Sequence, residues 1–226
     1  MERRIIMQED ILHKTYQFAQ DHHLKDNSGH DFEHIKRVYA NIHKLLEKET
    51  NANKFICKMS ALLHDVDDYK MNTDGKVAER FLHSLNLSQG TIQTILETID
   101  AISFSKSGAN PHFKTLEMKL LSDADKLDAM GAIGVCRALN FGFSRNRPLF
   151  NENEFPSPEN NKKHTINHFF EKLLLLKGAM QTEVGRKEAE KRHQFMIEFL
   201  KQFFAEQNLD NWQDFLNNYI NGILSK

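Results

Sequence analysis

The sequence has few of the residues that interrupt helices or cross-link a fold. Only 4 of its 226 residues are Pro and 10 are Gly, so few positions force a turn and long helices are permitted. Only 2 are Cys, Cys57 and Cys136, which excludes a disulfide framework. Because both stand in apolar stretches, we expect reduced core cysteines in a cytoplasmic protein.

Long apolar runs and an excess of one charge are also missing. No apolar stretch approaches the roughly 18 residues of a membrane span, and the N-terminal MERRIIMQED lacks the apolar region of a signal peptide. The 30 basic and 31 acidic residues leave a formal charge of −1. We therefore expect neither a nucleic-acid polymer nor a membrane as partner, and a cytoplasmic location.

Several common catalytic signatures are absent. The sequence contains no P-loop, no GxGxxG before a helix, no HExxH, no CxxC and no Gly-x-Ser-x-Gly elbow. Any chemistry must therefore come from side chains that are dispersed along the chain.

Apolar residues recur at helical spacing almost throughout, and sustained alternation is missing, so the sequence predicts an all-α fold. Ser88 is a candidate N-cap for one of these helices, and Gly131 and Gly134 are expected to interrupt another. The predicted helices lie near residues 11–19, 30–48, 55–63, 77–85, 88–102, 114–140, 164–180, 182–206 and 210–223.

Residues 142–162 read as a loop, because they hold three of the four prolines and many Asn. We predict a mobile loop within a single domain that spans 1–226, and it can act as a lid. Phe141, Phe143 and Phe150 are available there to stack a base, although most of the 17 Phe are expected in the core.

His64 and Asp65 close the apolar helical run SALLHDVDD, so both emerge at the end of a buried helix. A buried Asp beside a buried His requires a partner, and imidazole nitrogen with carboxylate oxygen suits a divalent transition metal. A helix-terminal His followed by a solvated Asp explains the pair equally well.

The stretch GHDFEHIKRV places Asp31, His34 and Arg37 at intervals of three, on one face of a helix. A His between an acid and an Arg can be a supported metal ligand, and the same pattern also fits a surface face with ion pairs.

The stretch LLSDADKLDAMGAIG carries Asp123, Asp125 and Asp128 inside an apolar helix. Helical geometry separates Asp125 from Asp123 by about 200° and from Asp128 by about 300°. The three carboxylates therefore cannot all bind one ion, and spacing alone does not choose among them.

Taken together, the pattern H…HD…D, with an acid three residues after the HD Asp, resembles the HD-domain superfamily of metal-dependent phosphohydrolases. The resemblance runs from about Gly29 to Ala132, and the tail from His168 to Leu200 is similar to stand-alone bacterial HD proteins. It implies an HD-domain helical bundle with a core near 29–132 and additional C-terminal helices, 163–226, packed on that core.

The resemblance implies a ligand set of His34, His64, Asp65 and Asp125, the last matching the family's ADKL string. It implies one divalent transition metal, Mn, Fe, Co, Ni or Zn, with Mn or Fe favoured. Branches that cleave cyclic nucleotides have two further His. His83 and His112 fall in that interval without metal-like surroundings, so one metal is predicted.

The resemblance also assigns catalytic roles. Asp68 corresponds to the acid that orients or deprotonates a metal-activated water. Arg37 and Lys126 are the nearest candidate cations for a phosphate.

The function implied is hydrolysis of a phosphate ester or anhydride of a small molecule, with a nucleoside triphosphate or monophosphate preferred. The alternatives are a non-catalytic sensor module that binds a nucleotide or metal, a cyclic-nucleotide phosphodiesterase, and an interaction protein with a vestigial site. A homodimer stays open.

Overall fold

The computed structural model describes residues 2–23, 31–67, 75–103, 112–158 and 162–224. Those residues form helices, turns and coil and contain no strand, which confirms the predicted all-α class. The helices are α1 Glu2–His23, α2 Phe32–Lys48, α3 Lys54–Leu63, α4 Val77–Ser84, α5 Gln89–Asp100, α6 Leu116–Asp128, α7 Gly131–Ser144, α8 Asn167–Glu171, a 3-10 helix Leu173–Ala179, α9 Glu183–Ala205 and α10 Asp210–Leu224.

The chain divides into two compact units, Met1–Asp125 and Lys126–Lys226, and the boundary falls within α6. The expectations of a single domain and of C-terminal helices packed on the HD core stay predictions. None of the described helices combines the length and the apolar character that crossing a bilayer requires.

Helix α3 lies at the centre of the first unit and packs against α1, α2 and α5. Its sequence KFICKMSALL is apolar on nearly every side, so residues from Phe55 to Leu63 are buried apart from Lys58. Met59 and Leu63 share a core cluster with Ile11 of α1 and Ile95 of α5. Each such burial contributes about 1.5–3 kcal/mol, which holds the C-terminal end of α3 in place.

Polar caps determine where three helices of this unit begin. The carboxylate of Asp31 accepts from the backbone N–H of His34 at 2.9 Å, and Asn53 accepts from the first amides of α3. Ser88 caps α5 as predicted, with its hydroxyl oxygen accepting from the Thr91 amide. Each cap satisfies backbone donors that have no intrahelical partner and contributes about 1 kcal/mol.

Trp212 of α10 is fully buried in the second unit. Its ring lies 4.7 Å from that of Phe150 and 4.6 Å from that of Phe155, and its indole N–H donates to the Glu152 carbonyl. Phe150 therefore belongs to this aromatic core, which corrects the suggestion that it is available to stack a base. The mobility of residues 142–162 stays a prediction, although α7 extends to Ser144.

Two predicted helices are divided in the structure. The helix expected over 114–140 breaks between Asp128 and Gly131, where Gly131 adopts φ +71° against the side chain of Arg192. The helix expected over 164–180 becomes α8 followed by the 3-10 helix. Leu173, Leu174 and Leu176 are buried there, while Leu175 is exposed.

The two cysteines differ in their surroundings. Burial raises the pKa of the Cys57 thiol to about 12, so it is protonated and behaves as a core residue. Cys136 is exposed on α7, so the expectation of a core position is wrong for this residue.

Candidate metal centre

Side chains from three parts of the first unit converge at one point. His34 comes from α2, His64 and Asp65 follow α3, and Asp125 comes from α6. The Nε2 atoms of His34 and His64 are 3.2 Å apart, and Asp65 Oδ2 lies 3.3 Å from the first and 3.4 Å from the second. Asp125 Oδ1 lies 3.5 Å from His34 Nε2. His34, His64 and Asp125 therefore form a group that could hold a metal ion, and Asp65 lies beside both of its histidines.

The donor atoms fit one divalent ion. Nitrogen and oxygen ligands that bind a transition metal at about 2.0–2.2 Å lie about 3–3.5 Å from one another. The two carboxylates also balance the charge of a divalent cation. Without a cation, two histidine nitrogens and a carboxylate oxygen would crowd together in a poorly solvated place.

Hydrogen bonding orients His64 toward this centre. Its Nδ1 lies 2.9 Å from the Ala61 carbonyl oxygen, so the tautomer protonated at Nδ1 donates to that oxygen. The lone pair of Nε2 then faces His34 and Asp65, which is the arrangement that metal-binding histidines adopt. Asp31 has a different task, since its carboxylate caps α2 at the amide of His34.

The cluster is buried at the histidines and open at one acid. The side chains of His34 and His64 are 3% and 2% exposed, and that of Asp65 is 15% exposed. The side chain of Asp125 is 42% exposed. Among the four side chains, that of Asp125 is therefore the most open to solvent.

Two residues that sequence reasoning missed support the ligands. Asn41 of α2 donates its side-chain N–H to the Ala124 carbonyl at 3.0 Å, next to Asp125. His22 of α1 lies 3.1 Å from the Val66 carbonyl oxygen, next to Asp65. Asn41 could have been found from the sequence, because it is a polar residue on the apolar face of α2, seven positions after His34. No local pattern indicated His22.

The remaining acids near the motif have other partners. Asp67 accepts from the amides of Val77 and Ala78 at the start of α4. Asp123 is fully buried, and Asp128 forms an ion pair with Arg137. In the described ranges, the group of donor atoms that can hold a metal contains Asp125 and neither of these two carboxylates. Its role as a ligand stays a prediction.

The structure describes two of the three predicted catalytic residues. Asp68 lies outside the described residues. Arg37 follows His34 by one turn of α2 and is half-buried, and Lys126 follows Asp125 in α6 and is partly exposed. The roles of all three stay predictions. His83 and His112 are both exposed and do not belong to the cluster found among the described residues.

Comparison with known proteins identifies a matching family and a relative of this chain. The HD domain family matches residues 31–130, an interval that contains all four converging side chains. The chain is 30% identical over 182 residues to the uncharacterized protein YpgQ of Bacillus subtilis, covering 78% of this chain and 84% of that protein.

Two solved structures resemble this chain over most of its length. The crystal structure of an HD-superfamily hydrolase from Bacillus thuringiensis is 35% identical, with a TM-score of 0.74 over 89% of this chain and 98% of that one. The crystal structure of Bacillus subtilis YpgQ in complex with ADP is 27% identical, with a TM-score of 0.72 over 88% and 96%.

Proposed function

The chain belongs to the HD-domain superfamily, and on that premise we propose that it is a metal-dependent phosphohydrolase that acts on a nucleotide. The observation that carries the proposal is the grouping of His34, His64 and Asp125, whose donor atoms lie within 4.8 Å of one another, with Asp65 Oδ2 3.3 and 3.4 Å from the two histidine nitrogens. The relation to an HD-superfamily hydrolase over nearly its whole length supports the same conclusion.

These four side chains hold one divalent transition metal in the proposed enzyme, with Mn or Fe favoured by the mixed nitrogen and oxygen donors. Such an ion supplies Lewis acidity that makes a water more acidic and polarises a phosphoryl oxygen. The two imidazoles and two carboxylates would hold the ion and leave it accessible to water and substrate.

Other residues of the chain orient the metal ligands, the attacking water and the phosphate group. The Ala61 carbonyl holds the His64 ring in one tautomer, while Asn41 and His22 hold the backbone beside Asp125 and Asp65. We assign Asp68 to orient the attacking water and accept its proton. Arg37 and Lys126 offset the negative charge that develops on the phosphoryl oxygens.

A nucleotide is the proposed substrate class, with a nucleoside triphosphate or monophosphate preferred. The crystal structure of Bacillus subtilis YpgQ in complex with ADP supports a nucleotide ligand in this part of the superfamily. ADP contains a nucleoside and phosphate groups, as do the nucleoside triphosphates and monophosphates proposed as substrates. The bond that is cut decides between phosphate, pyrophosphate and opened cyclic nucleotide as product.

A release screen tests the reaction. Purified protein is incubated with nucleoside mono- and triphosphates and cyclic nucleotides, with Mn, Co or Ni added, and free phosphate, pyrophosphate and ring-opened nucleoside monophosphate are measured. We expect metal-dependent turnover that Asp68→Ala lowers by at least about 100-fold, the range typical for loss of a positioned acid or base. Asp214→Asn, an exposed carboxylate of α10, is the control and keeps wild-type turnover.

Turnover at background level for both wild type and Asp68→Ala on every substrate would reject the enzyme in favour of a nucleotide sensor. Metal analysis tests the centre separately. His64→Ala and Asp65→Ala should each lose bound Mn, and unchanged Mn affinity in both variants would reject the ligand set. A cytoplasmic location and a homodimer remain predictions, and light scattering of the purified protein tests the dimer.

A further inference from the structure

An open depression of about 490 Å³ lies on the second unit, far along the chain from the four proposed ligands. It forms where α7 ends and the following segment meets residues just before α8. Its lining includes Phe141, Arg145, Arg147, Pro148, Lys162 and Lys163. The proposed hydrolysis makes no use of these residues.

Positive charge dominates this depression, which we name the basic pocket. Four of its lining residues are Lys or Arg, and none is an acid. Lys163 is paired with Glu154 at 2.6 Å, whereas both guanidiniums lie over the Phe141 ring, that of Arg145 at 5.5 Å and that of Arg147 at 5.7 Å. In a protein whose net charge is −1, such a local concentration of cations favours an anionic ligand.

The backbone that carries these side chains is hydrogen-bonded before any ligand arrives. The amides of Arg145 and Arg147 donate back to the Gly142 carbonyl at 3.2 and 2.9 Å, and that of Asn146 donates to the Phe143 carbonyl. The Lys162 amide donates to Glu171 Oε1 at 2.9 Å. A site whose backbone is already ordered loses little conformational entropy on binding.

Two cations of the pocket, Arg147 and Lys162, affect the pKa of the neighbouring His168. The pKa of His168 is lowered to about 4, first by burial and then by the positive charges of Lys172, Arg147 and Lys162. The imidazole stays neutral near pH 7 and adds no further positive charge. An anion bound between Arg147 and Lys162 would offset their charges and raise this pKa.

We propose that the basic pocket binds the phosphate chain of a polyphosphate ligand such as a nucleoside di- or triphosphate. Guanidinium groups match phosphate oxygens with two parallel hydrogen bonds, and Lys adds point charges at the rim. The volume exceeds the need of a single phosphate and lies within the range of about 300–1,000 Å³ for small-molecule pockets. The proposal does not rest on hydrolysis, because it needs neither the metal nor Asp68.

Calorimetry on the full chain in EDTA tests the pocket without the metal centre. Inorganic tripolyphosphate and ATP should both bind, and adenosine should not. Arg145→Gln with Arg147→Gln should weaken tripolyphosphate binding by at least about tenfold, given two lost charge-assisted contacts. The matched control, Lys191→Gln with Lys201→Gln, removes two exposed charges from α9 and should leave binding unchanged. Lys162→Gln, a single substitution whose folding is checked by circular dichroism, should also weaken tripolyphosphate binding.

The pKa of His168, followed by NMR, should rise when tripolyphosphate is added to wild type. Absence of binding, an equal loss in the control pair, or an unmoved His168 pKa would overturn the proposal. Tighter binding of single-stranded oligonucleotides that grows with their length would also overturn it, in favour of a nucleic-acid surface. His64→Ala should retain tripolyphosphate binding, so failure of the metal centre and failure of this pocket are distinguishable.

Discussion

The side-chain amide of Asn41 donates a hydrogen bond of 3.0 Å to the backbone carbonyl of Ala124. Both groups are buried, and each neighbours a proposed ligand: Asn41 shares the helix of His34, and Ala124 immediately precedes Asp125. One hydrogen bond therefore ties together the two helices that supply half of the metal centre.

Asn41→Ala should weaken both folding and metal binding. The Ala124 carbonyl would remain buried without this partner, which costs about 1–3 kcal/mol. Loss of such an outer contact typically lowers metal affinity about 10–100-fold. Urea unfolding and Mn titration measure the two effects. Asn217→Ala, an exposed position on α10, is the control. Wild-type Mn affinity in Asn41→Ala would show that the bond does not position Asp125.

The two acids Asp125 and Asp128 of α6 should respond in opposite ways to replacement by Asn. Asp125→Asn should abolish tight Mn binding, yet change the unfolding free energy in EDTA by less than about 0.5 kcal/mol, because its side chain is 42% exposed. Asp128→Asn should leave Mn binding intact.

Asp128→Asn should destabilise the fold by about 2 kcal/mol, because the 2% exposed carboxylate loses its ion pair with Arg137, a partner that is itself partly exposed. Mn titration and urea unfolding of both variants provide the comparison. Loss of Mn binding in Asp128→Asn alone would reverse the assignment.

His168 should make stability depend on pH. Its folded-state pKa of about 4 lies below the ordinary value of 6.5, so the unfolded chain takes up the proton first as the pH falls. The stability it contributes is complete above pH 6.5 and is lost toward pH 4. We expect His168→Gln to remove about 1 kcal/mol of the loss between pH 7 and pH 5, a figure reduced for partial exposure. Urea unfolding at the two pH values measures it.

His13→Gln, at an exposed position of α1, is the matched substitution measured beside it. If His168→Gln and wild type lose stability equally between pH 7 and pH 5, burial and the nearby positive charges do not lower the pKa of His168.

Gly142 should not accept a methyl group. A Cβ built there would lie 2.1 Å from Thr165 Oγ1, so Gly142→Ala forces α7 and Thr165 apart and costs about 1–3 kcal/mol. Gly178→Ala is the matched control, because nothing lies within 4 Å of its added Cβ. Thermal unfolding of the two variants should therefore differ. Equal melting temperatures would mean that Thr165 moves aside freely.

Local patterns in the chain were enough for much of this protein. Helical periodicity predicted the all-α class, and Ser88 marked the start of α5, because both depend on neighbours within a few residues. The spacing of His34, His64 and Asp65 left a metal site and ordinary surface or helix-end residues equally open, and the resemblance to the HD-domain superfamily favoured the metal site.

Sequence alone determined which segments form helices, and the resemblance to a known family supplied the candidate metal ligands, Asp125 among them. Only the tertiary structure brought Asp125 rather than Asp123 or Asp128 to the histidines, recruited Asn41 and His22 behind them, and buried Phe150 against Trp212. The reason is physical: a helix forms from contacts three and four residues apart, whereas these meetings join residues tens of positions apart. Their geometry depends on how whole helices pack, and no spacing within one segment encodes it.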